Sequence, residues 1–101
     1  MVMTILEGRV ALERSSDLQR AYRSIIKNLP PQMLQTFLIR CATDMDLWRI
    51  ISVWKSRAAL DEMRRSTETP AGILIFREAG AEPTLSIFEV DAHQMNSFPE
   101  R

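Results

Sequence analysis

Two β-rich runs joined by a short polar turn occupy the middle of the chain and restrict its fold most. The runs are residues 34–43 and 47–55, and the polar turn is 44–46. Both alternating sides of this hairpin are largely apolar. One side carries Phe37, Ile39, Cys41, Ile51 and Val53, and the other carries Leu34, Leu38, Trp48, Ile50 and Trp54. Because an antiparallel sheet with one face in water is polar on that face, the hairpin predicts a sheet covered on both faces.

The rest of the chain has the alternation of strands and the 3–4 residue spacing of amphipathic helices, with no linker or repeat. The predicted elements are strand 4–13, helix 16–29, strand 34–43, strand 47–55, helix 57–68, short helix 70–78 and strand 83–92. The segment "AGILIF", residues 71–76, would fit either a strand or a short helix, and we favour the helix.

Capping and helix-breaking residues indicate where the helices begin and end. Ser16 is the predicted N-cap of the first helix, and Pro30 follows its end. Ser56 is the predicted N-cap of the second helix. Thr69 followed by Pro70 suits an N-cap and the first position of the short helix.

This order of elements predicts one α+β domain, residues 1–101, with a ferredoxin-like β-α-β-β-α-β arrangement. Right-handed crossovers give a four-stranded antiparallel sheet with both long helices on one face. The simplest cover for the other face is the same sheet of a second copy, which predicts a homodimeric α+β barrel. The interface candidates are Phe37, Ile39, Ile51, Val53, Arg9 and Arg49. The charged residues near that face, Glu7, Arg9, Arg40, Arg49 and Glu89, are expected to form Arg-carboxylate pairs across strands or subunits.

Composition excludes several classes of function. Thirteen basic and thirteen acidic residues cancel, and the pI of about 6.6 lacks the basic excess of a nucleic-acid-binding protein. No apolar run approaches the roughly 18 to 20 residues that span a bilayer. Glu7 and Arg9 interrupt the start before a signal peptide develops, and Cys41 is the single cysteine. The single histidine, His93, cannot build a metal cluster. We expect a cytoplasmic protein with no metal, no nucleic-acid partner and no membrane contact.

Three segments resemble the antibiotic biosynthesis monooxygenase family, also described as quinol monooxygenases. They are "WRIISVWKSRAALDEM" at 48–63, "EGRV" at 7–10 and "FREAGAEPTLSIFEV" at 76–90. The most specific feature is Trp54 at the end of a strand, followed by Ser56 and a helix that opens with Ala58, Ala59 and Leu60. The resemblance spans about residues 3–91. It implies a ferredoxin-like subunit that dimerises through its sheet, a pocket between sheet and helices, and no cofactor.

The resemblance also identifies positions where this chain differs. Members that oxidise phenolic polyketides have an asparagine four residues before the strand tryptophan and a tyrosine six residues after it. Ile50 and Leu60 occupy those positions here. Haem-degrading relatives have an iron-ligating histidine ten residues after the tryptophan, and this chain has Arg64. These differences disfavour haem degradation and leave no polar residue at the two phenol-binding positions.

The candidate pocket residues are Trp54, Trp48, Ser52, Tyr22 and Met63, and the sequence identifies no catalytic residue. For both tryptophans and for Tyr22, core packing is the alternative to substrate contact. Two functions remain open. The first is a cofactor-independent monooxygenase, or a related isomerase or decarboxylase, acting on a small aromatic or quinol compound. The second is a non-catalytic dimeric module that binds a small molecule or takes part in assembly.

Overall fold

A computed structural model of the chain describes residues 1–66 and 69–96. Its strands and helices are β1 (Val2–Arg9), α1 (Ser15–Ile25), β2 (Met33–Cys41), β3 (Asp44–Trp54), α2 (Arg57–Ser66), α3 (Ala71–Glu78) and β4 (Thr84–Glu89). Short 3₁₀ turns, Leu12–Arg14 and Ile26–Asn28, flank α1. The strands form one antiparallel sheet in the order β2-β3-β1-β4. The predicted α+β ferredoxin-like fold is therefore confirmed.

The helices cover one face of the sheet, and the core lies between them. Strand β3 presents Trp48, Ile50, Ser52 and Trp54 to this core, and all four are buried. Their alternation with Arg49 and Ile51 is the two-residue period of a strand. Two clusters of buried residues result, one around Trp48 and Phe76 and the other around Trp54 and Leu60.

Gly8 allows α3 to approach the sheet closely. A Cβ atom at Gly8 would lie 2.9 Å from two ring carbons of Phe76. Because this is shorter than carbon–carbon van der Waals contact, a larger residue at Gly8 would displace the Phe76 ring. Because Gly8 has no side chain, the Phe76 ring of α3 can pack directly on β1.

The hairpin turn differs from the sequence prediction. The predicted turn at residues 44–46 is wrong, because the chain turns at residues 42–43 and Cys41 already pairs with Asp44. Asp44 and Asp46 belong to β3 and share the side chain of Arg9 on β1, with ion pairs of 2.9 and 2.8 Å. The hydrogen bond from Arg9 also holds the pKa of Asp44 below its ordinary value. Asp44 and Asp46 are residue types common in turns, and their ion pairs across the sheet hold them in a strand.

Three other boundaries fall inside the predicted ones. Strand β1 ends at Arg9 instead of residue 13, because Val10 is buried beneath the sheet and the chain turns toward α1. Strand β4 ends at Glu89, whose partner Val2 begins β1, and one further backbone hydrogen bond follows, from Val90 N–H to Met1 O at 3.0 Å. Helix α1 ends at Ile25 and continues only as a 3₁₀ turn toward Pro30.

Two of the three predicted helix caps are wrong. The N-cap of α1 is Arg14, so Ser16 lies inside the helix, and the N-cap of α3 is Pro70, so Thr69 lies before it. Ser56 is confirmed, because its Oγ accepts a hydrogen bond from the Ala59 N–H at 3.0 Å. The last two residues of the predicted helix 57–68 lie outside the described residues.

The second face of the sheet, which we call the outer face, carries exposed apolar side chains. Phe37, Ile39 and Phe88 are 47%, 40% and 52% exposed. Ile51 is half-buried, whereas Val53 is only 6% exposed and is already covered within the chain. Val53 therefore has little surface left for a partner.

The predicted charge pairing on this face takes place within the chain. Arg49 and Glu7 are direct neighbours on β3 and β1, and Arg49 Nε donates to Glu7 Oε1 at 2.6 Å. Arg9 is paired with the two aspartates of β3. The placement of Arg40 beside this face is wrong, because its guanidinium lies 4.4 Å from the Trp48 ring centre on the helix-covered face.

Candidate functional site

A mostly apolar cavity of about 160 Å³ lies between the sheet and the helices. Thr4, Ile50, Ser52 and Trp54 form its floor on β1 and β3. Leu60, Met63 and Arg64 of α2 form one wall, and residues 70–73 at the start of α3 form another. The three candidate residues Trp54, Ser52 and Met63 therefore line one cavity.

Trp54 is held in place by a hydrogen bond across the sheet. Its Nε1 donates to Thr4 Oγ1 at 3.1 Å, and both residues are buried. Since the indole N–H is already used, Trp54 offers the cavity an apolar ring and no free donor. Its role is that of a wall that a flat molecule can contact.

A chain of hydroxyl groups leads from the cavity to α1. Ser52 Oγ lies 3.4 Å from Thr36 Oγ1, and Tyr22 OH donates to Thr36 Oγ1 at 3.3 Å. Tyr22 does not line the cavity, but it is connected to Ser52 through Thr36. Sequence reasoning missed Thr36 and Thr4, because their proximity to Ser52 depends on the strand register that pairs both with it.

Trp48 lies in the other core cluster and does not line the cavity. Gly8 opposes it on β1, and the Arg40 guanidinium covers its ring. Arg40 also donates to Ser15 Oγ at 2.9 Å. Among the described residues, Trp48 Nε1 and Arg40 Nε have no hydrogen-bond partner. Trp48 packs the core and receives a cation–π contact from Arg40.

The three positions at which this chain differs from the resembled family all line the cavity. They are Ile50 on the floor and Leu60 and Arg64 on α2. The differences therefore concern residues that would touch a bound molecule. Two polar groups are replaced by aliphatic ones, and an arginine stands in place of an iron-ligating histidine.

The charge of the cavity comes from one side chain. Within the described residues, no Asp, Glu, His or Cys lines it, and Arg64 is its charged member. His93 lies beyond β4 and is exposed. No group of three or more His, Cys, Asp or Glu residues in residues 1–66 and 69–96 is arranged to hold a metal ion. In the same part of the chain, no helix is long and apolar enough to cross a membrane.

Several solved structures of small α+β proteins share this fold. No protein-family model matches the sequence, and no curated protein matches it either. A candidate antibiotic biosynthesis monooxygenase from Deinococcus radiodurans superposes with a TM-score of 0.71 at 11% identity, covering 98% of this chain and 100% of that one. Rv0793 from Mycobacterium tuberculosis superposes with a TM-score of 0.70 at 16% identity, covering 93% and 98%.

A third structure has a defined activity. SnoaB from Streptomyces nogalater, a cofactor-independent oxygenase, superposes with a TM-score of 0.60 at 17% identity, covering 98% of this chain and 97% of that one. At these identities the likeness is one of fold. It confirms, at the level of the fold, the resemblance to antibiotic biosynthesis monooxygenases.

The hydrogen bond between Trp54 and Thr4 leads to a testable coupling. Trp54→Phe removes the donor, and Thr4→Val removes the acceptor. Each single change is expected to lower the free energy of unfolding by about 1 to 3 kcal/mol, because each disrupts a buried hydrogen bond. The double variant should lose less than the sum of the two, as measured by urea denaturation. Strictly additive losses would show that the two side chains do not interact.

Proposed function

We propose that this protein is a cofactor-independent monooxygenase-like enzyme that oxidises a small aromatic or quinol compound in the cavity between sheet and helices. One observation supports this proposal most directly. The cavity combines the flat apolar wall of Trp54 with the hydroxyl of Ser52 on its floor. An apolar site with a few polar groups suits a phenolic ring, whose one polar edge needs a hydrogen-bond partner.

The reaction needs only substrate and molecular oxygen. An ionised phenol donates electrons to oxygen itself, and one phenol and one O₂ give one quinone and one water. One oxygen atom enters the quinone and the other leaves as water. The protein contributes an environment that excludes water and holds the ring in a reactive orientation. Ser52 would hydrogen-bond an oxygen of the substrate, and Thr36 and Tyr22 would hold the Ser52 hydroxyl in place.

The outer face supports a homodimer as the working form of the enzyme. Its exposed Phe37, Ile39 and Phe88 form an apolar surface that an identical face would bury. Arg9 is paired with Asp44 and Asp46, and Arg49 is paired with Glu7, so bringing two such faces together does not bury an arginine without an acidic partner.

A non-catalytic binding module is the second candidate, and one observation favours it. No carboxylate or histidine among the described residues lines the cavity, so it lacks the usual general base. In that function, the cavity would hold a small aromatic compound without converting it.

Oxygen consumption separates the two candidates. Purified, metal-stripped protein is incubated with a panel of quinols and phenols, with heat-treated protein as the blank. The monooxygenase proposal expects oxygen uptake that scales with protein and, with isotopically labelled O₂, one labelled atom in the quinone. Binding without uptake across the panel would instead establish the module.

A matched pair of serine variants locates the reaction. Ser52→Ala is expected to lower the rate by about tenfold, because it removes a hydrogen bond to a substrate oxygen. Ser24→Ala alters an exposed serine on α1 that does not line the cavity and should leave the rate unchanged. Equal rates for both variants would place the chemistry outside this cavity.

A further inference from the structure

Arg64 lies where a charged group can meet a molecule in the cavity. It follows the buried Leu60 by four residues on α2, so the two share one face of the helix. Arg64 is exposed and also lines the cavity. A helical residue that is both exposed and cavity-lining stands at the rim, between solvent and the apolar interior.

The neighbouring arginines of α2 have partners, whereas Arg64 has none among the described residues. Arg57 Nε pairs with Asp61 at 3.1 Å, and Arg65 pairs with Glu62 at 2.8 Å. In residues 1–66 and 69–96, the side chain of Arg64 forms neither an ion pair nor a hydrogen bond. Its guanidinium is therefore available to an external anion, and its planar N–H groups match a carboxylate or a phenolate oxygen.

The size of the cavity limits the ligand. Its volume of about 160 Å³ is close to that of the apolar protein cavity of about 150 Å³ that binds benzene. A single aromatic ring fills such a space. A system of several fused rings would extend beyond this space.

We propose that the cavity takes a single-ring aromatic anion, with the ring against Trp54 and its anionic oxygen toward Arg64. The anionic group is a carboxylate or an ionised phenol. The inference rests on the proposed function in treating this cavity as the substrate site. It also accounts for the missing base, because a substrate that binds already ionised needs no side chain to deprotonate it.

Ligand binding is measured by titration of nitrogen-15-labelled protein under nitrogen, following the two indole N–H signals. Trp54 lines the cavity and should shift, whereas Trp48 lies in the other core cluster and serves as an internal reference. The probes are 4-methylbenzoate, 4-nitrophenol at a pH above its own pKa, and the neutral 4-methylbenzamide. Either anion binding more tightly than the amide supports the proposal, and the tighter of the two identifies the anionic group. Equal affinity for anion and amide would overturn it.

Two variants of α2 isolate the role of the guanidinium. Arg64→Gln is expected to weaken binding of the preferred anion by about tenfold and to leave the amide unchanged. Arg65→Gln, one residue further along and paired with Glu62, should change neither. Equal effects of the two variants would show that general charge is responsible, and would overturn the assignment to Arg64.

A larger aromatic anion tests the single-ring limit. An anthracene carboxylate should not shift the Trp54 signal at concentrations that saturate with 4-methylbenzoate, and equal binding would overturn the single-ring limit.

These experiments are independent of turnover. Anion binding without oxygen uptake would contradict the proposed function and leave this inference standing. Oxygen uptake that is unaffected by Arg64→Gln, together with unchanged anion binding, would contradict this inference and leave the proposed function standing.

Discussion

Replacing Phe76 with alanine is expected to lower the free energy of unfolding by about 3 to 5 kcal/mol. Phe76 is 0% exposed, and its ring fills the space above Gly8 between α3 and the sheet. Removing the ring leaves a cavity that β1 and α3 cannot both close. Because a domain of this size is stable by only about 5 to 15 kcal/mol, the loss would take much of the total. Urea denaturation followed by tryptophan fluorescence measures it.

A residue on the same helix provides the control. Leu74 is 48% exposed, so Leu74→Ala is expected to change stability by no more than about 0.5 kcal/mol. Similar losses for the two variants would mean that α3 is not packed through Phe76.

The contact between Gly8 and Phe76 can be tested with a double variant. Gly8→Ala alone should destabilise the protein, since the added Cβ would lie 2.9 Å from the Phe76 ring. In a Phe76→Ala background the same change should cost less, because the ring is gone. An equal cost in both backgrounds would contradict the packing described for β1 and α3.

Ile51→Glu is expected to convert the proposed dimer into a monomer. Ile51 lies near the centre of the outer face, paired with Ile5 on β1 and Phe37 on β2. If two copies pack through this face, the variant buries a carboxylate in each subunit without a partner. Burying an unpaired charge costs several kcal/mol, which outweighs the contribution of a modest interface. Multi-angle light scattering after size-exclusion chromatography measures the mass.

The matched control places the same charge away from the sheet. Leu74→Glu lies on the exposed side of α3 and should leave the mass of the dimer unchanged. Circular dichroism confirms that both variants remain folded. A parent protein of monomer mass, or an Ile51→Glu variant of dimer mass, would show that the outer face is not the interface.

The local sequence pattern predicts the two strands of the hairpin but not the position of its turn. Apolar alternation correctly indicated two paired strands in the middle of the chain. The turn was misplaced, because Asp44 and Asp46 have the residue types of a turn and belong to a strand only through their ion pairs with Arg9. Arg9 is more than thirty residues away, so no local signal reports this pairing.

The cavity residues also differ in whether the local sequence pattern or the tertiary structure determines their position. Trp54, Ser52 and Met63 were predicted to line a pocket, and all three lie on one cavity. Trp48 shares the alternation of Trp54 and the same face of β3, yet the arrangement of α1 and α3 places it in a different cluster. Tyr22 reaches the cavity only through Thr36, which the sequence did not single out.

The order and type of the elements follow from the amino-acid pattern alone, because periods of two and of 3.6 residues are properties of neighbouring positions. The strand register, the route of the hydroxyl chain and the position of Arg64 at the cavity rim depend on contacts between distant segments. Such contacts are selected by packing of the whole core, in which the Gly8–Phe76 approach and the Trp54–Thr4 hydrogen bond determine how helices and sheet meet.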